Sequence, residues 1–83
     1  IAPLNKDQAR KLIEQTRAYR ILSGVRGQPP RDIENVVDTL IRLGQLSQDF
    51  PQIEELDINP LFVLDEGKGS IIGDTRMILK HNN

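Results

Sequence analysis

Asp57 and Asn59 lie two residues apart in a stretch that alternates apolar and polar residues. Asp74 follows fifteen residues after Asn59, flanked by Gly73 and Thr75. Two carboxylates and a carboxamide are hard oxygen donors. Mg²⁺ takes such donors at about 2.0–2.1 Å, usually one or two carboxylates, and completes its shell with water and phosphate oxygens. The chain has no cysteine, and its one histidine, His81, sits in the C-terminal tail. Zinc and copper would therefore lack the nitrogen and sulfur ligands they favour. Asp57, Asn59 and Asp74 are thus a candidate donor set for Mg²⁺, provided the fold brings them together. The competing reading is a solvated hairpin face on which Asn59-Pro60 only shapes the chain.

Whether they meet depends on the elements that carry them. Leu56, Ile58, Phe62 and Leu64 alternate with Asp57, Asn59, Leu61 and Val63, a period of two that predicts a strand over about 54–64. Pro60 inside it implies an edge, a bulge or a break in pairing. Asp65-Glu66-Gly67-Lys68-Gly69 reads as a turn, and a return strand follows over about 70–79. Pairing Asp65 with Ser70 sets Asn59 opposite Arg76 and Asp74 opposite Leu61. Pairing Val63 with Ser70 sets Asn59 opposite Asp74. In both registers parity places Asp57, Asn59 and Asp74 on one face, with Asn59 and Asp74 roughly 4.5–8 Å apart at Cβ.

Upstream of the hairpin the period is helical. Asn5 can cap a helix with Gln8 three residues on, and Asp7 suits its first turn. Ala9, Leu12, Ile13 and Thr16 share one face, which predicts a helix over about 6–17 that continues irregularly through Tyr19, Ile21 and Leu22. Two glycines and Pro29-Pro30 make residues 23–30 a loop. A second helix is expected over about 31–49, capped by Asp32. It carries the wide apolar stripe Ile33, Val36, Val37, Leu40, Ile41, Leu43 and Leu46, and Pro51 ends it. The order is helix, loop, helix, strand, turn, strand, which implies an α+β fold of two helices packed on an antiparallel β-hairpin or small sheet. A lone hairpin is a poor sheet, so further strands are expected from elsewhere.

Composition narrows the function classes. Eighty-three residues form one small domain, 37% hydrophobic and 28% charged, as in ordinary globular chains. A net charge of −1 gives no excess of cations to grip a phosphate backbone, and Tyr19, Phe50 and Phe62 form no stacking platform, so nucleic acid is not an expected partner. No window is apolar over the roughly 18 residues a membrane span requires, and no signal peptide is legible. With no cysteine, a cytoplasmic setting is expected. The chain opens at Ile1 and its one methionine is Met77, which suggests a processed product or an excised piece.

The string Glu55-Leu56-Asp57-Ile58-Asn59-Pro60-Leu61-Phe62-Val63 resembles a segment of the ATP-grasp domain in succinyl-CoA synthetase β chains and ADP-forming acyl-CoA synthetases. Three more segments resemble the acyl-CoA synthetase branch in the same order: Arg17-Ala18-Tyr19 with Ile21-Leu22 and residues 24–30, the helix end from Leu43 to Pro51, and Gly73-Asp74-Thr75-Arg76. The resemblance runs from Pro3 to about Leu79. It implies the C-terminal part of the second ATP-grasp subdomain of an enzyme that interconverts acyl-CoA, ADP and phosphate with acid, CoA and ATP through a phosphohistidine. It matches the family's metal-binding asparagine and aspartate to Asn59 and Asp74, and its further carboxylate to Asp57. The implied cofactors are Mg²⁺ and ATP or ADP. The implied partners are the rest of the ATP-grasp domain and the CoA-binding and phosphohistidine domains, which carry the adenine site and the acyl chemistry. Arg26, between glycines, could approach a phosphate; bracing the loop against a carboxylate is its other reading. The 83 residues alone are expected to be inactive. Two alternatives remain: a regulatory or silent ATP-grasp-like module, for example one fused to an acetyltransferase, and a small protein-interaction domain.

Overall fold

The computed structural model describes residues 4–24 and 27–81. Helix α1 spans Lys6–Glu14, α2 Ala18–Leu22 and α3 Ile33–Asp49; strands follow as β1 Ile53–Ile58, β2 Leu61–Val63, β3 Ser70–Ile72 and β4 Thr75–Leu79. The class is α+β, with the helices on one side of an antiparallel hairpin.

Both long helices start on side-chain caps. Asn5 Oδ1 accepts from the Gln8 N–H at 2.8 Å, and Gln8 Oε1 accepts from the Asn5 N–H at 3.1 Å, a reciprocal capping box. Asp32 Oδ1 accepts from the Asn35 N–H at 3.0 Å at the head of α3. Helix α1 is shorter than its apolar spacing suggests. The Thr16 hydroxyl donates to the Ile13 carbonyl at 2.7 Å, in competition with the backbone ladder, and the chain re-forms as the separate α2. Ala9, Ile13 and Val37 are buried where α1 crosses α3, and the small Ala9 side chain, with no exposed surface, permits the close approach. Leu4, Tyr19, Leu22, Ile33, Val36, Leu40 and Ile41 pack around them. Among the described residues no helix is long and apolar enough to cross a membrane.

The hairpin has the register that pairs Val63 with Ser70. In place of two continuous strands it forms two short ladders, β1 with β4 and β2 with β3. They part at Asn59-Pro60, a cis peptide bond, and Gly73-Asp74. Pro60 has no N–H to give a ladder. The Asn59 N–H still reaches the Asp74 carbonyl at 3.2 Å, and the Gly73 N–H reaches the Pro60 carbonyl at 2.9 Å. The break changes which side chains share a face. Leu56 and Ile58 point at the helices, and so does Leu61: all three line an apolar groove with Leu12, Ile13, Val36, Leu40 and Leu43. Phe62, which strict alternation puts with Leu56 and Ile58, is 54% exposed and stacks over Gly73 and Pro60 instead.

A clasp fixes the hairpin tip to the head of α3. Asp32 Oδ2 accepts from the Gly69 N–H at 2.7 Å, and the Asp32 N–H donates to the Leu64 carbonyl at 2.8 Å. Arg31 pairs with Asp65 at 2.8 Å, the Glu66 N–H donates to the Pro30 carbonyl at 3.1 Å, and the Ser70 hydroxyl bonds Asn35 Oδ1.

The outer surface remains unusually open. The accessible area is 6549 Å², against about 5,000 Å² for a folded monomer of this mass. The radius of gyration is 14.3 Å and the extents are 54 × 26 × 21 Å, where a compact chain of this length has roughly 12 Å. Ile21, Phe62, Ile71, Ile72 and Leu79 are each more than half exposed.

Candidate metal site

The polar face of the hairpin is built by its register. Asp57 faces Arg76 and Ile58 faces Thr75 across β1 and β4, and Asn59 then meets Asp74 through a backbone bond. Directly opposed residues hold their Cβ atoms about 4.5–5.5 Å apart. Asp57, Ile58, Asn59, Asp74, Thr75 and Arg76 line one open groove of about 500 Å³. The three residues singled out for metal chemistry therefore converge, on the side of β1 and β4 opposite the helices.

The donors differ in how they are held. Asp74 Oδ1 accepts from the Thr75 N–H at 2.9 Å, which sets the carboxylate rotamer. Its second oxygen takes part in no hydrogen bond among the described residues. The Asn59 carboxamide and the Asp57 carboxylate form no side-chain hydrogen bond among the described residues, so neither must break one to take a ligand. Among those residues no three His, Cys, Asp or Glu side chains cluster to hold a metal unaided. The donor set is two carboxylates and one carboxamide. It fits a hard divalent cation that keeps several positions for water or for a ligand's oxygens, and it fits neither zinc nor copper.

Gly73 fixes how closely the two sides of the break approach. A Cβ there would lie 2.9 Å from the Phe62 ring and 3.0 Å from two Pro60 ring carbons. Both neighbours are ring atoms with little freedom to yield. Gly73→Ala is expected to lower stability by about 1–3 kcal/mol and to displace Asp74 beside it. Urea denaturation measures the first effect. The second appears as a loss of divalent-cation affinity beyond that of Lys68→Gln in the solvent-exposed turn.

Arg26, named above for a phosphate, lies outside the described residues. Arg76 is a further residue of this groove, and the parity that aligns Asp57, Asn59 and Asp74 places it on the same face, a signal present in the sequence. Asp32 was legible as a cap but not as the anchor of the hairpin tip. That second bond joins positions with no shared periodicity.

Comparison with known proteins gives this geometry a setting. The family model for the ATP-grasp domain matches residues 1–79. The chain is 45% identical over 78 residues to an ADP-forming acetate–CoA ligase of Methanocaldococcus jannaschii, covering 94% of this chain and 11% of that protein. It is 44% identical over 81 residues to the β subunit of ADP-forming acetate–CoA ligase II of Pyrococcus furiosus, covering 96% of this chain and 34% of the subunit. In structure it is similar to dinucleotide-forming acetyl-coenzyme A synthetase 1 of Ca. Korarchaeum cryptofilum, solved with coenzyme A and Mg-AMPPCP. The TM-score is 0.89 at 38% identity, over 96% of this chain and 37% of that one. The chain thus spans between about a tenth and about a third of the length of these relatives. With a family model matched over nearly its whole length, the chain belongs to the ATP-grasp domain family.

Proposed function

We propose that this chain is the metal–nucleotide hairpin of a longer, cytoplasmic ADP-forming acyl-CoA synthetase, working with Mg²⁺ and ATP or ADP. The observation that carries the reading is the direct opposition of Asn59 and Asp74 across the ladder break, with Asp57 lining the same groove. Membership of the ATP-grasp family supports it.

In this reading the Asn59 carboxamide oxygen and the free Asp74 oxygen hold the cation, and Asp57 adds a second negative charge. A bound Mg²⁺ offsets charge that develops on the phosphoryl oxygens during transfer. The residues themselves orient: Asn59 and Asp74 neither attack the phosphorus nor move a proton. The Thr75 N–H bond and the hairpin ladder hold them in place before ligand arrives, so little reorganisation is left to the reaction.

The rest of the ATP-grasp domain and the CoA-binding and phosphohistidine domains are the proposed partners. They would cover the exposed apolar side chains of β2 and β3 and supply the adenine pocket, for which the open hairpin groove has no enclosing wall. The isolated 83 residues are accordingly expected to bind MgATP only weakly. In an NMR titration, shifts confined to residues around Asn59 and Asp74 that do not saturate below millimolar MgATP support this reading. Micromolar binding would show that the nucleotide site is complete within this segment and would overturn it.

A further inference from the structure

Arg76 lines the same groove as Asp57, Asn59 and Asp74, two pairs along the ladder from the Asn59–Asp74 contact and so on the same face. Its guanidinium forms no ion pair or hydrogen bond among the described residues, although Asp57 stands directly opposite. Arg31 and Arg42, by contrast, each reach a neighbouring aspartate, at 2.8 and 2.9 Å. A cation beside metal ligands works against the metal. The two carboxylates already balance a divalent ion, so Arg76 leaves the loaded groove with one surplus positive charge. The surplus is useful only if an anion enters with the metal. The anion must touch the cation and the guanidinium together, and a polyphosphate has charge and oxygens enough for both. The planar fork of arginine suits two phosphate oxygens at once, which an ammonium group does not.

We propose that Arg76 is a phosphate-binding residue of this groove, gripping non-bridging oxygens of the same nucleoside polyphosphate that the metal on Asn59 and Asp74 holds. The assignment rests on the metal–nucleotide reading of the hairpin and adds to it a protein cation that senses phosphate. Arg76 is then a determinant of di- and triphosphate over unphosphorylated nucleoside.

The test uses the full-length protein that carries this segment, with MgADP, MgATP and adenosine titrated onto wild type, Arg76→Gln and Arg76→Lys. Arg76→Gln is expected to weaken MgADP and MgATP roughly ten- to a hundredfold, the range of a lost charge-assisted hydrogen bond. Adenosine binding should be unchanged. Arg76→Lys should recover part of the loss, since it restores the charge without the fork. Equal loss for adenosine and ADP, or no loss with Arg76→Gln, overturns the assignment. Asn59→Ala, followed by Mn²⁺ electron paramagnetic resonance with and without ADP, reports on the underlying reading separately. If Asn59→Ala leaves Mn²⁺–ADP binding intact, the metal reading fails, whatever Arg76 does. If Asn59→Ala abolishes it while Arg76→Gln binds ADP normally, only the arginine assignment fails.

Discussion

In the full-length protein, Asp74→Asn is expected to cut turnover by roughly a hundred- to a thousandfold at saturating nucleotide, the usual effect of removing a preorganised charge from a transfer site. The substitution keeps the shape of the side chain and can keep an oxygen on the Thr75 N–H, now held at 2.9 Å. What it removes is one of the two negative charges in the groove. Cation affinity should fall with turnover, so raising Mg²⁺ should recover part of the rate. Lys68→Gln is the matched control: Lys68 sits in the exposed turn at the far end of the hairpin, and its loss should leave turnover unchanged. A steady-state assay over a Mg²⁺ series separates the outcomes. Turnover within threefold of wild type for Asp74→Asn would remove Asp74 from the metal's ligands and leave the groove without its central donor.

The second large effect is on stability. Asp32 is 8% exposed and serves two unrelated backbone groups, capping α3 through the Asn35 N–H and binding the Gly69 N–H of the hairpin tip. Asp32→Ala loses a helix cap, worth about 0.5–2 kcal/mol, and leaves a partly buried N–H unpaired, at about 1–3 kcal/mol. A combined loss of about 2–4 kcal/mol should lower the melting temperature by roughly 10–25 °C in a domain of this size. Asp32→Asn keeps an acceptor for the cap and should recover about half. Thermal melts followed by circular dichroism measure both. A shift below 3 °C for Asp32→Ala would mean that the clasp is redundant with the Arg31–Asp65 pair and the Glu66–Pro30 bond beside it. Because the tip and the metal groove belong to one hairpin, the same variant should also weaken cation binding, though less than Asp74→Asn.

The two effects differ in how far sequence alone foretells them. Asn5 and Asp32 announce their helices because a cap is a local contact, made within three residues. Asp57, Asn59 and Asp74 fall on one face in either register because parity survives a shift of two. The choice between registers was not local. It was made by the clasp at the tip, where Asp32 holds Gly69 and Leu64 and so fixes where the turn closes.

The sequence by itself determined the succession of a helical half and a hairpin half, the two caps and the common face of the three oxygen donors, since each follows from periods of 3.6 and 2 or from bonds between near neighbours. The tertiary structure decided the rest. Alternation through Asn59-Pro60 could not foretell that both strands break together, so that Leu61 follows Leu56 and Ile58 toward the helices and Phe62 turns outward over Gly73. The helical spacing of Ala9 to Thr16 could not foretell that the Thr16 hydroxyl would take the Ile13 carbonyl and end α1 at Glu14. Nor could residue types show that Arg76, among the described residues, forms no ion pair while facing Asp57. Each of these is set by contacts between residues distant in sequence or by competition for one carbonyl. Their free energies depend on where the folded chain places the partners, and no repeat in the sequence encodes that.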